Sequence, residues 1–111
     1  MDEVQEAIKK QVDSHPVILF MKGTPQFPQC GFSMKASQAL AGCEAEFAYV
    51  NVLEDERIRQ GIKDFGNWPT IPQLYIGGEL VGGCDIILEM YESGDLEQMV
   101  KSAVAQQSDD A

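Results

Sequence analysis

The sequence predicts an α/β fold in which a four-stranded mixed sheet is flanked by about five helices. Three observations lead there. Segments of helical periodicity alternate with short β-branched runs, a Gly77-Gly78 pair separates two such runs, and 111 residues leave room for one domain with one modest core. Residues 2–14 carry Val4, Ile8 and Val12 at a spacing of four, the apolar stripe of a helix that Pro16 stops. Val17-Ile18-Leu19-Phe20-Met21 has no polar alternation and reads as a central strand covered on both faces, ended by Gly23-Thr24-Pro25. Residues 32–43, with Phe32, Ala36 and Leu40 on one stripe, form a helix, and residues 47–52 a second strand, completing a βαβ unit. Residues 55–65 place Ile58, Ile62 and Phe65 on one helix face, and Gly66-Asn67 suit a left-handed helix end. Residues 73–76 and 79–81 are antiparallel strands joined by a two-residue turn that needs positive φ. Helices over 85–92 and 96–104 close the chain, with Asp95 as a candidate N-cap. The domain is expected over residues 1–105, and residues 106–111 are expected as a flexible tail.

The formal charge is −10, from 8 Lys and Arg against 18 Asp and Glu. That balance disfavours a phosphate backbone or an anionic membrane surface as partner. The longest apolar run, residues 16–21, is far too short to span a bilayer, and the acidic start of the chain lacks the pattern of a signal peptide. A reducing cytoplasm is the expected location. Three scattered cysteines, Cys30, Cys43 and Cys84, do not make a disulfide framework of the secreted kind.

Cys30 carries the chemistry. It stands between the first strand and the helix that follows, where unpaired N–H groups and the helix dipole favour thiolate over thiol. Thiolate is the form that attacks disulfides and binds metals. A redox-active Cys-x-x-Cys pair would place its second cysteine at residue 33, where this chain has Ser33. Cys30 can therefore form a mixed disulfide or ligate a metal, without a resolving partner in its own motif. Cys43, at a helix end, reads as a small buried hydrophobe. His15, before Pro16, reads as an exposed turn residue outside any metal-ligand spacing.

Helix, strand, helix, strand, helix, hairpin, helix, helix, with a cysteine at the first strand-to-helix turn, matches a thioredoxin-like fold. Four strings occur in order: Met21-Lys22-Gly23-Thr24-Pro25 with Pro28, Cys30-Gly31-Phe32-Ser33, Trp68-Pro69-Thr70-Ile71-Pro72, and Gly82-Gly83-Cys84-Asp85. Over nearly the whole chain they resemble the monothiol glutaredoxins of the Cys-Gly-Phe-Ser type, in their bacterial single-domain form. The resemblance implies a glutathione site made of Lys22, Cys30, Phe32, Arg59, Ile71, Pro72, Gly83, Cys84 and Asp85. Lys22 and Arg59 would hold the glycine carboxylate by charge-assisted bonds. Taken alone, Arg59 reads equally well as a solvated helix-face charge. The Ile71–Pro72 bond would be cis, leaving the Ile71 backbone free to pair with the cysteinyl residue. The glycines of Gly82-Gly83-Cys84-Asp85 allow close backbone approach, and its N–H groups form an anion site for the γ-glutamyl carboxylate. Asp85 would take the γ-glutamyl ammonium, and it is also an acid favoured at a helix N-terminus. Cys84 either offers only its N–H or pairs with Cys30 under oxidation. Trp68 reads as core or cleft wall.

A 2Fe-2S cluster takes four ligands, usually thiolates, and this chain offers one in a credible site. The resemblance implies a cluster bridging a homodimer, with two Cys30 sulfurs and two glutathione sulfurs as ligands, carried in iron–sulfur assembly and passed to apoproteins. A BolA-like protein is an implied partner. The alternative is a glutathione-dependent oxidoreductase with Cys30 as nucleophile. Against it stand Ser33 and the loop of residues 23–29, which in similar proteins misplaces glutathione for rapid turnover.

Overall fold

The computed structural model describes residues 2–110. The chain runs α1 (Glu3–Ser14), β1 (Val17–Met21), α2 (Gly31–Gly42), β2 (Ala48–Asn51), a 3-10 turn (Val52–Glu54), α3 (Glu56–Gly66), β3 (Gln73–Ile76), β4 (Glu79–Gly82), α4 (Cys84–Ser93) and α5 (Asp95–Asp110). The sheet order is β2-β1-β3-β4, with β1 parallel to β2 and antiparallel to β3. This is the thioredoxin-like arrangement expected, with β1 between two neighbours.

All five residues of β1 are buried, because helices cover both faces of the sheet. Val17, Leu19 and Met21 pack among Ala36 and Leu40 of α2, Ile87 of α4, and Leu96 and Val100 of α5. Ile18 and Phe20 project the other way, into a cluster with Ile8 and Val12 of α1, Ile62 of α3, and Tyr75. Phe20 meets Tyr75 edge-to-face at 5.8 Å, the geometry that aromatic quadrupoles favour. A continuous apolar strand thus feeds two cores through its two-residue period.

The helix ends follow from local chemistry. Asp2 Oδ1 accepts the Gln5 N–H at 2.8 Å and caps α1. Asp55 does the same for α3 through the Arg57 N–H at 2.9 Å, and Asn67 closes that helix in the left-handed region. Several boundaries differ from those expected. Asn51 turns the chain out of β2 early and caps the 3-10 turn, so β2 is shorter than residues 47–52. Asp95 is the first residue of α5, not its N-cap, and Ser93 Oγ accepts its N–H at 3.3 Å. α5 runs to Asp110, beyond residue 104 where its end was expected; Ala105 and Gln106 favour helix, and no Gly or Pro stops it there. Ala111 lies outside the described residues. Among the described residues no helix is long and apolar enough to cross a membrane.

Gln73 is a fully buried polar residue in β3. Its Nε2 donates to the carbonyls of Trp68 at 3.0 Å and Thr70 at 3.2 Å, and its Oε1 accepts the Tyr75 hydroxyl at 2.9 Å. This network joins the sheet to the segment 68–70. Gln73→Leu should therefore leave buried polar groups unpaired and lower unfolding free energy by about 2–3 kcal/mol. Urea titration followed by far-UV circular dichroism measures it.

Candidate functional site

The site begins where β1 hands the chain to α2. The Lys22 N–H donates to Ser33 Oγ at 3.0 Å, and the Lys22 carbonyl accepts the Gln29 N–H at 2.9 Å. Between them the loop folds back on itself, with Thr24 and Phe27 exchanging backbone bonds at 3.1 and 3.3 Å. Gly23 makes this possible: its φ is +89°, and a Cβ there would lie 2.5 Å from the Phe27 carbonyl oxygen. The loop delivers Cys30 to the N-cap position of α2 in extended conformation.

Cys30 is held below the ordinary thiol range, first by the Ser33 N–H, then by the Phe32 N–H, the Lys22 ammonium and the Ser33 hydroxyl, against the opposing effect of partial burial. Cys84 is shifted the other way by burial, by the neighbouring Asp85 carboxylate and by Cys30, with Lys35 opposing. The two thiols thus lie within electrostatic reach of one another, and their acidities are shifted in opposite directions. All three cysteines are free, and Cys43 is fully buried, as its sequence position suggested.

A cleft of about 370 Å³ opens beside them. One wall is Trp68, Thr70, Ile71 and Pro72, and the other is Gly83, Cys84, Asp85 and Ile86, with Phe32 from α2. The Ile71–Pro72 bond is cis. Gly83 lets the walls approach: a Cβ there would stand 3.2 Å from Trp68 Nε1 and 3.3 Å from the Pro72 carbonyl oxygen. Trp68 Nε1 is buried with no hydrogen-bond partner among the described residues.

Six of the nine expected site residues line this cleft: Phe32, Ile71, Pro72, Gly83, Cys84 and Asp85. Lys22, Cys30 and Arg59 do not. Lys22 acts on Cys30 through its charge, whereas Arg59, half-buried on α3, stands 3.8 Å from Glu56 in an ion pair. Thr70 and Ile86 also line the cleft, and neither was expected there. Thr70 was visible inside the Trp68-Pro72 string; Ile86 gave no signal beyond helical periodicity. His15 is exposed, and among the described residues no group of three or more His, Cys, Asp or Glu could hold a metal ion.

A depressed thiol at a helix N-terminus beside a cis-proline cleft, on a sheet ordered β2-β1-β3-β4, defines a thioredoxin-like thiol protein. The chain belongs to the glutaredoxin family, whose profile, described as Glutaredoxin, matches residues 17–81, and with Ser33 in place of a second cysteine it is of the monothiol type. It is 50% identical over 105 residues to Glutaredoxin 4 of Escherichia coli (strain K12), covering 95% of this chain and 91% of that protein. Its fold matches the solution structure of reduced poplar apo GrxS14 with a TM-score of 0.78 and 52% identity, over 92% of this chain and 94% of that one. A buckwheat glutaredoxin in complex with glutathione shares the fold at a TM-score of 0.80 and 22% identity, over 92% of this chain and 91% of that one.

Because the folded Cys30 has the lower pKa, its ionisation favours the folded state: this contribution is complete above the unfolded thiol's pKa and disappears as pH falls through the folded value. Iodoacetamide labelling across pH, mapped by mass spectrometry, should modify Cys30 at pH values where Cys84 remains unreactive. Lys22→Gln should raise the Cys30 midpoint and leave that of Cys84 in place. An unmoved Cys30 midpoint would assign the depression to the Ser33 and Phe32 N–H groups and the Ser33 hydroxyl, without Lys22.

Proposed function

We propose that this chain is a carrier of a glutathione-ligated 2Fe-2S cluster, acting in cluster assembly and transfer to apoproteins. The observation that supports it most is the donor count. Cys30 offers a single depressed thiol, and no group of three or more potential ligands exists among the described residues. Four ligands are then reached by two Cys30 sulfurs from a homodimer and two glutathione thiolates. The cluster is cargo in this reading, and ligands borrowed from a small molecule exchange more readily than a closed protein cage.

Glutathione suits the cleft chemically. Its extended backbone would pair with Ile71 beside the cis bond, its glycine carboxylate would meet Lys22 and Arg59, and its γ-glutamyl end would meet the Gly83-Cys84-Asp85 turn at the N-terminus of α4. Phe32 and Pro72 would flank it. Three free thiols fit a reducing cytoplasm, and a BolA-like protein and apo iron–sulfur clients are the partners the reading requires.

The depressed Cys30 thiol favours a second reading, a glutathione-dependent oxidoreductase. There the Cys30 thiolate would attack the glutathione sulfur of a mixed disulfide and expel the protein thiolate; a second glutathione thiolate would then regenerate Cys30 and leave as glutathione disulfide. Ser33 excludes an internal resolving step within the motif.

Anaerobic reconstitution with iron, sulfide and glutathione, followed by visible absorption during size-exclusion chromatography, tests the first reading. A coloured dimer should form only with glutathione and should be lost entirely in Cys30→Ser, while Cys84→Ser should retain it. A colourless monomer in every sample would favour the oxidoreductase.

A further inference from the structure

We infer that Asn51 is a positioning residue that fixes the separation of Lys22 and Arg59, the two cations assigned above to one ligand carboxylate, and the inference rests on that assignment. Asn51 ends β2 in parallel register with Met21. Its Oδ1 accepts two backbone N–H groups, that of Gly23 at 2.9 Å and that of Leu53 at 3.0 Å. Gly23 directly follows Lys22. Leu53 lies in the 3-10 turn that leads into Asp55, the N-cap of α3, and Arg59 stands on the first turns of that helix. One oxygen therefore ties together the two segments from which the cations project. Among the described residues no other side-chain hydrogen bond links residues 22–24 to residues 51–59.

The arrangement matters because, among the described residues, neither cation has a close ion-pair partner of its own. Arg59 has only the 3.8 Å pair with the exposed Glu56, a contact too long and too solvated to set its direction. The forked guanidinium grips a carboxylate only in a narrow range of geometry, so its distance from the Lys22 segment decides whether both can engage the same group. Removing the shared acceptor frees the Gly23 N–H and uncaps the 3-10 turn in one change. Loss should fall on the carboxylate end of the ligand and spare the end held at the N-terminus of α4.

The test compares glutathione with γ-glutamylcysteine, which lacks the glycine carboxylate, in heteronuclear NMR titrations of the reduced chain. Wild-type protein should prefer glutathione. Asn51→Ala should weaken glutathione fivefold or more and γ-glutamylcysteine less than twofold, with urea melting confirming that the variant is folded. Asn51→Ser, whose hydroxyl can still cap the turn, should fall between. Equal losses for both ligands would make Asn51 a general structural residue, and unchanged glutathione affinity would show that the tie is dispensable; either overturns the inference. Wild-type protein that does not distinguish the two ligands would instead remove the carboxylate assignment to Lys22 and Arg59, and the role of Asn51 with it.

Discussion

The hydrogen bond from the Lys22 N–H to Ser33 Oγ joins the end of the central strand to the first turn of α2, and the geometry around Cys30 depends on it. Ser33 is fully buried, so its hydroxyl is committed to the scaffold. A thiol in its place would be a weaker hydrogen-bond partner for the same backbone N–H. The single-thiol motif therefore has two physical consequences. It removes the resolving sulfur, and it fixes the strand-to-helix junction that presents the remaining one. The same residue supplies the foremost influence on Cys30, its own N–H, so scaffold and thiol chemistry meet in one side chain and one amide.

Electrostatics separates the two cysteines near the cleft. The chain carries a charge of −10, yet residues 16–43 contain Lys22 and Lys35 and no carboxylate. Within that stretch Cys30 experiences N–H groups and a cation. Cys84, half-buried on the cleft wall beside Asp85, feels the Asp85 carboxylate and the charge of Cys30. Each difference acts in the same sense, favouring thiolate at residue 30 and thiol at residue 84. The more readily ionised sulfur is thereby selected by its surroundings.

Much of the fold was legible because its signals are local. The unbroken apolar run of β1, the Gly77-Gly78 turn, and the Asp55 and Asn67 ends of α3 each state their conformation in a few residues. The six cleft residues foreseen were found through strings whose resemblance to glutaredoxins carried the information, and the cis bond at Pro72 came from that source too. What stayed hidden depends on side-chain contacts that no local pattern announces. Nothing near Asn51 reveals that its oxygen reaches Gly23, 28 residues away. Gln73, read only as the start of a strand, holds the carbonyls of Trp68 and Thr70, and Ile86 reaches the cleft from the first turn of α4.

A cleft walled by side chains but short of metal ligands has a thermodynamic consequence. On the carrier reading, half of the cluster's ligands come from a molecule free in solution, so loading obeys mass action in that molecule as well as in iron and sulfide. Dimer formation is tied to the same equilibrium, because neither protomer completes the ligand set alone. Depleting the small molecule would weaken the cluster and the dimer together, without any change in the fold. A cage of four protein thiolates would show no such dependence. On that reading, control of loading lies with the composition of the surroundings as much as with the chain, because the chain supplies only part of the ligand set.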